Sequence, residues 1–285
     1  MRPWNTPGMN KMQSSLSVRS ILRKTADELK EAAREEAETE ARELVMHALK
    51  TENRAELGLY MDKEMSQSEL EELNGLVARR KKGEPLQYII GFWEFMGLRF
   101  KTDARALIPR QDTETLCEEA IKLIKSRGYK TCLDMCTGSG CIGISLAKIA
   151  GVEATLADIS EAALELSREN AKANGVSIKT IKTDMFTGIA DKYDIIVCNP
   201  PYLTDDDMNS LQKELEFEPE NALYGGPDGL DFYRRIANDY KAALNAGGAL
   251  LLEVGIYQAN DVAKMLGGAR IIKDILGIER TVIKE

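Results

Sequence analysis

The sequence predicts an α/β fold: a mostly parallel sheet with helices on both faces, behind a small N-terminal helical domain. Three observations lead there. Beyond about Asp112, short apolar runs of strand length alternate with longer helical patterns, as in parallel strands joined by crossover helices. Gly138, Gly140 and Gly143 form a G-x-G-x-x-G turn that follows a strand run and opens a helix. The first 80 or so residues are rich in Glu and Ala, with apolar residues at helical spacing.

Residues 1–15 read as a loose leader. The opening MRPWNTPGMNKMQSS has no apolar core after its charges, so a secretory signal is not expected. Helix is predicted from Val18 to Lys50. Thr25-Ala-Asp-Glu28 reads as a capping box, and Leu29, Ala33, Ala37, Ala41, Leu44, Val45 and Leu49 recur at helical spacing. A second box, Ser66-Gln-Ser-Glu69, opens a helix to about Lys81, which completes a helical domain over 16–82. Gly83-Glu-Pro85 breaks the pattern. Residues 83–106 read as a linker whose aromatic and β-branched stretch 87–102, with Gly91 and Gly97, forms a β-hairpin. The catalytic α/β domain follows over 107–285. Its strand candidates are Cys132–Met135, Ala154–Ala157, Ile178–Thr180, Ile195–Cys198 and Ala249–Val254, with helices such as Ser160–Asn174 and Asp231–Asn245 between them.

Composition excludes several function classes. A chain of 285 residues can bury a real core, and 29% charged residues with ordinary Gly and Pro rule out disordered and fibrous classes. No apolar run approaches the ~20 residues that span a bilayer, so a cytoplasmic protein without a membrane partner is expected. The five cysteines (Cys117, Cys132, Cys136, Cys141 and Cys198) are odd in number and contain no CxxC pair, which fits reduced, buried thiols. His47 is the single histidine and sits in a helical stretch, so a Ser-His-Asp triad or a multi-histidine metal site is not expected. The net charge of −8 divides into about −1 for residues 1–90 and about −7 for the rest. That balance disfavours phosphate-driven binding of nucleic acid.

The glycine turn, Leu133-Asp-Met-Cys-Thr-Gly-Ser-Gly-Cys-Ile-Gly143, lets the chain bend tightly and brings a ligand close to backbone N–H groups at a helix start. Asp158 ends the next strand, where a carboxylate can hold ribose hydroxyls. The pair points to a nucleoside-containing cofactor, either a nicotinamide dinucleotide or S-adenosylmethionine. Asp134 beside the loop would crowd an anionic pyrophosphate. It suits an ammonium and a sulfonium, which tilts the balance to S-adenosylmethionine.

Tyr193-Asp-Ile-Ile-Val-Cys-Asn-Pro-Pro-Tyr202 is a buried strand that ends in Asn199-Pro200-Pro201-Tyr202. The two prolines stop the ladder and stiffen an extended backbone. The Asn199 side-chain oxygen and the Pro200 carbonyl can each accept one hydrogen from a planar NH₂ group, and Tyr202 offers a ring to stack on a flat substrate. A conjugated nitrogen is a poor nucleophile. Holding both of its hydrogens favours localising the lone pair toward a methyl donor, with no histidine, metal or covalent nucleophile required.

On these residues the chain resembles the HemK/PrmC family of peptide chain release factor N5-glutamine methyltransferases. The resemblance rests also on Gln87–Gly91, Leu107-Ile-Pro-Arg110 with Asp112-Thr-Glu114, Gly229-Leu-Asp-Phe-Tyr233, Leu251-Leu-Glu-Val-Gly255, and Lys273-Asp274 with Gly277 and Arg280. It implies a class I S-adenosylmethionine-dependent methyltransferase fold, Rossmann-like, with a seven-stranded sheet. It implies that S-adenosylmethionine lies over Cys136, Thr137, Gly138, Ser139 and Gly140, with Asp158 on its ribose and Asp184-Met185 bordering the adenine, and that S-adenosylhomocysteine is the product. Asn199, Pro200 and Tyr202 would act in catalysis, and Asn199–Tyr202 would hold the glutamine amide of the Gly-Gly-Gln loop of a class 1 release factor. Asn199 would also border the cofactor. The N-terminal domain would help dock that partner, tuning translation termination. Cys136 stands where the family often has glycine, Met185 where it often has Trp, and Gln111-Asp112 where Pro-Glu is frequent.

The alternative reading is an N6-adenine or N2-guanine methyltransferase acting on DNA or RNA, since those bases also present a conjugated NH₂. Acidic charge and the Ile-Pro-Arg segment favour the protein substrate. Glu94, Tyr233 and Glu253 are candidates near the site with no role assignable from the sequence.

Overall fold

A computed structural model describes residues 17–51 and 53–285, so the expected leader lies outside the described residues. The chain divides into two compact units between Ile90 and Gly91.

The first unit contains α1 (Val18–Ala33), α2 (Ala37–Leu49), α3 (Arg54–Gly58), α4 (Gln67–Lys81) and α5 (Leu86–Ile90). The structure corrects the Thr25 capping box. Ser17 caps α1, accepting from the Ser20 N–H, and Thr25 is buried in mid-helix. Val18 and Ile21 already belong to the buried stripe, so the helix starts before Thr25. The helical stretch expected over 18–50 comprises two helices parted by a 3₁₀ turn at Arg34–Glu36, with Arg34 at φ 48°. The break lets the stripe of α1 (Ile21, Leu29) and that of α2 (Leu44, Val45) take part in one helix-on-helix packing, which a straight rod could not do. The Ser66–Glu69 box is present: Glu69 N–H donates to Ser66 Oγ at 3.3 Å, and Ser66 N–H donates to Glu69 Oε2 at 2.6 Å.

Residues 87–90, read as the start of a hairpin, are helical. Tyr88 and Ile89 N–H groups both donate to Pro85 O at 3.1 Å, and the helix buries Leu86, Ile89 and Ile90. The hairpin is shorter, β1 (Phe92–Phe95) and β2 (Leu98–Lys101), turning at Met96 and Gly97 with φ of 52° and 71°. Two left-handed residues make the tight turn that suits antiparallel strands.

The second unit continues with α6 (Asp112–Arg127), β3 (Thr131–Met135), α7 (Cys141–Ala150), β4 (Glu153–Asp158), α8 (Glu161–Ala173), β5 (Lys179–Lys182), β6 (Tyr193–Cys198), α9 (Asp205–Asn209), α10 (Asp231–Ala243), β7 (Leu244–Glu253), α11 (Ala259–Met265), β8 (Arg270–Lys273) and β9 (Glu279–Lys284). The strands β3 to β9 form a seven-stranded sheet in the order β5-β4-β3-β6-β7-β9-β8, in which β9 runs against its neighbours. The five strand candidates are five of these strands. Successive residues serve opposite faces. Cys132, Ile195, Val197 and Leu251 join the core with α6 and α7, whereas Leu133, Ile196, Cys198 and Leu252 join the core with α10 and α11. Burial on both faces is why these strands read as continuous apolar runs.

In the first unit, Arg80 is 2% exposed and donates twice to Glu40, at 2.6 and 3.0 Å. Breaking such a pair strands a buried charge. Glu40→Ala is expected to lower the stability of this unit by roughly 3–5 kcal/mol in urea unfolding of the full chain. A loss below about 1 kcal/mol would mean that the pair is not insulated from water.

Candidate active site

The site forms where the strand order reverses. From β3 the chain winds outward through β4 to β5, then crosses back to β6 and on to β7, so β3 and β6 lie side by side with their following loops diverging. Crevices at such switch points, beyond the carboxyl ends of the strands, are where open α/β sheets bind ligands.

The glycine loop hangs on the end of β3. Thr137 N–H donates to Ala157 O at 3.1 Å, and Gly140 N–H donates to Thr137 O at 2.9 Å. Asp134 braces it from beneath, its Oδ2 accepting from the Thr137 hydroxyl at 2.5 Å and the Gly143 N–H at 2.8 Å. A Cβ on Gly143 would sit 2.9–3.0 Å from Leu156 and Asp134, so glycine there permits this brace. Asp134 is fully buried, its Oδ1 has no hydrogen-bond partner, and burial pushes its pKa up to about 7. Cys136 adopts φ 57°, which explains why glycine suits that position in related loops. Asp158, at the end of β4, accepts from Gly138 N–H and Ser160 N–H, each at 2.9 Å, and burial raises its pKa. Ile159 N–H is a third donor to this carboxylate, which leaves about one of its four lone-pair sites for a ligand.

A cavity of about 310 Å³ opens beside this loop. Of the residues expected at a cofactor, Cys136, Thr137, Gly138, Ser139, Asp158, Asp184, Met185 and Asn199 line it. Asp134 and Gly140 do not. The first is turned under the loop, and a Cβ on the second would meet Ile144 and Ser167 of the core. Met185 is buried at φ 51°, and its sulfur lies 3.8 Å from Cys136 Sγ, so two soft sulfur atoms meet in one wall.

The Asn199–Tyr202 corner leaves β6 toward the same cavity. Asn199 and Pro201 line it, while Pro200 is buried and Tyr202, expected to stack on a substrate, stands off it. The corner is braced on its other side. Leu203 N–H donates to Leu223 O at 2.9 Å, Gly225 N–H to Leu203 O at 2.8 Å, and Gln258 Nε2 to Tyr202 O at 3.0 Å. A Cβ on Gly225 would fall 2.6 Å from Tyr202 Cα, and one on Gly229 2.3 Å from Tyr202 O, so only glycine permits this approach. Burial pushes the Tyr202 hydroxyl up to about 12, so it stays protonated.

Sequence reasoning missed several lining residues. Ile108, Pro109 and Arg110 form part of the wall, held by Glu218, which accepts from Ile108 N–H at 2.9 Å and pairs with Arg110. The Ile-Pro-Arg motif signalled one partner, but nothing local signals Glu218. Phe232 and Arg235 of α10 also line the cavity, and Arg235 pairs with Asp184 at 2.7 Å. Of the three unassigned candidates, Glu94 is exposed on β1, Tyr233 is a core residue whose hydroxyl donates to Glu253 O at 2.9 Å, and Glu253 is buried at the end of β7. Among the described residues no group of three His, Cys, Asp or Glu side chains could hold a metal.

Residues 20–91 match the PrmC N-terminal domain family and residues 116–223 the methyltransferase small domain family. A release factor glutamine methyltransferase of Geobacter sulfurreducens is 40% identical over 281 residues, covering 93% of this chain and 95% of the relative. One from Clostridium acetobutylicum is 35% identical, covering 94% and 98%. A methyltransferase structure from Pyrococcus furiosus superimposes with a TM-score of 0.50 at 18% identity, over 66% of this chain and 88% of that one, which shows the shared fold.

The buried Asp134 gives a pH signature. Its folded pKa of about 7 lies above its ordinary value of 3.8, so the folded state binds its proton more tightly than the unfolded state. Its contribution is greatest at low pH and is lost as pH rises from about 4 to 7. Relative to the wild type, Asp134→Asn is expected to gain roughly 2 kcal/mol between pH 5 and pH 8 in urea unfolding. A difference that does not change with pH would show Asp134 to be ionised throughout.

Proposed function

The chain belongs to the release factor glutamine methyltransferase family, and on that premise we propose that it moves a methyl group from S-adenosylmethionine to N5 of the glutamine in the Gly-Gly-Gln loop of class 1 peptide chain release factors. S-adenosylhomocysteine is the co-product. The observation that carries this reading is that the glycine loop, Asp158 and Asn199 line one continuous cavity. Donor and acceptor nitrogen can therefore meet without a moving part.

The residues present suit S-adenosylmethionine. Asp158 lines the cavity with acceptor capacity left for a ribose hydroxyl, Gly138 and Ser139 give a close backbone approach, and the Met185 thioether packs softly against a flat base beside Asp184. When bound, S-adenosylmethionine supplies an electrophilic methyl carbon on a cationic sulfur. Asp134 supports the loop from below rather than touching the donor.

The remaining chemistry belongs to this chain. Asn199 Oδ1 and Pro200 O accept the two amide hydrogens and fix the plane of the nitrogen. Neither proline can offer an N–H that would compete for those acceptors. Held this way, the lone pair is favoured to localise on nitrogen toward the methyl carbon, and alignment supplies much of the rate. As nitrogen gains the methyl carbon, one of its hydrogens leaves as a proton along the hydrogen bond to Asn199 Oδ1 or Pro200 O and passes to water. Pro201 walls the pocket, and Tyr202 holds the corner. The reading calls for no metal, since the donor carries its own positive charge. It assigns residues 16–82 to docking of the release factor and 107–285 to catalysis, in the cytoplasm, with neither membrane nor nucleic acid as a direct partner. No helix among the described residues is long and apolar enough to cross a membrane.

The test uses labelled S-adenosylmethionine with the full chain and three acceptors: a class 1 release factor, the same factor with its loop glutamine changed to alanine, and bulk DNA or tRNA. Label is expected on the first acceptor alone, and label on nucleic acid alone would favour the base-methylating alternative. Asn199→Ala is expected to lower transfer on the order of 10²-fold or more while S-adenosylmethionine still binds. Asp158→Ala is expected to weaken that binding roughly tenfold or more in calorimetry, and unchanged affinity would reject its ribose role.

A further inference from the structure

Beneath the corner lies a buried carboxylate that the reaction as described does not use. Strands β6 and β7 are parallel with Cys198 opposite Leu252, so Asn199 and Glu253 leave the sheet side by side. Glu253 is 2% exposed, and its Oε2 has no hydrogen-bond partner. Its backbone is pinned by the Tyr233 hydroxyl and by pairing with Thr281 of β9. Thr113, buried at the start of α6, faces the same point, and Asn199 Nδ2 donates to its Oγ1 at 3.4 Å.

We propose that Glu253 is a positioning residue for Asn199: with Thr113 it forms an acceptor floor that turns the Asn199 NH₂ inward and leaves Oδ1 facing the substrate amide. This rests on the reading of Asn199 as the amide clamp. A carboxamide is nearly symmetric in shape, so packing alone hardly distinguishes its oxygen from its nitrogen. The wrong orientation would present NH₂ to NH₂, and the substrate would meet a donor where it needs an acceptor. The floor removes that option. Ionised, as its bonds from Thr113 and Asn199 favour, Glu253 only accepts, and the one hydrogen of the Thr113 hydroxyl is then spent on it. The direction of donation therefore runs from Asn199 through Thr113 to Glu253, and Oδ1 turned inward would meet only lone pairs.

A purely structural explanation of Glu253 is weaker. Arg280 is the cation beside it, yet Arg280 forms its ion pairs with Asp112 at 3.0 Å and Asp274 at 3.7 Å. Burial disfavours the ionised carboxylate and raises its pKa to about 7, against the lowering effects of Thr113, Arg280 and Asn199. An apolar residue of the same size would fill this position without that penalty. What it could not do is accept hydrogen bonds.

The experiment compares the wild type, Glu253→Gln and Thr113→Val as full-length proteins. Each is assayed for transfer to a release factor, for S-adenosylmethionine affinity by calorimetry, and for melting temperature. Gln has the shape of Glu but can offer an NH₂, so Asn199 is free to flip. Both variants are expected to lose kcat on the order of 10²-fold, with cofactor affinity within about twofold and little change in melting temperature. Thr113→Ser, which restores the hydroxyl, is expected to recover most of what Thr113→Val loses. The proposal is overturned if either variant keeps a kcat within about twofold of wild type, or if kcat, affinity and melting temperature fall together as a simple packing defect would make them. A wild type that does not modify the release factor would sink the reading of the site, and this inference with it. A wild type that does, beside an equally active Glu253→Gln, would sink this inference alone.

Discussion

Two hydrogen-bond acceptors on a backbone that cannot relax are the constraint on which the rest of this structure turns. The Asn199–Pro201 segment has no N–H to give at either proline and continues directly from the buried strand β6. On one side the Gly225 and Gly229 backbones press against Tyr202 with no room for a side chain, and Gln258 ties off the Tyr202 carbonyl. Below Asn199 lie Thr113 and the end of β7. Elements far apart in sequence thus converge on four residues. Their combined effect is to remove motion from the corner, and in the proposed reaction a misplacement there of about 1 Å would cost on the order of 10²-fold in rate.

Rigidity of this kind is held at some cost to stability. Asp134 and Glu253 are both buried carboxylates with one oxygen lacking a partner, and burial raises each to a pKa of about 7. One sits under the glycine loop and the other beside the corner. Cys136 and Met185 take left-handed backbone conformations on the cavity wall, where glycine would be less strained. Unfavourable features gathered at one end of the sheet, around one cavity, are what a site selected for function rather than for folding displays. The apolar layers on both faces of the sheet supply the stability that offsets them.

Much of this was legible in the chain, and the parts that were not have physical reasons. The central strands announced themselves because both of their faces are buried. The edge strand β8 passed unnoticed, since Arg270-Ile-Ile-Lys273 is short and flanked by charge. Ile89 and Ile90 suggested a strand through their branching, but Pro85 starts a helical turn that buries them on one side. Local propensity also chose the wrong cap at Thr25, because the buried stripe begins upstream of it. At the site, the glycine loop, Asp158 and the diproline corner could be read because each is contiguous or follows a strand. Glu218 could not, since it reaches Ile108 and Arg110 from a distant loop. Asp134 was read for its charge, whereas its burial turns it to supporting the loop. Glu253 became interpretable only when strand pairing set it beside Asn199.

The most direct measurement is a crystal structure of the full chain with S-adenosylhomocysteine and a bound glutamine amide, at a resolution that fixes the orientation of the Asn199 carboxamide from its hydrogen-bond network. The account predicts the substrate nitrogen about 3 Å from both Asn199 Oδ1 and Pro200 O, facing the sulfur, with Asn199 Nδ2 turned toward Thr113 and Glu253. An amide lodged away from this corner, or an Asn199 that presents its nitrogen to the substrate, would contradict it.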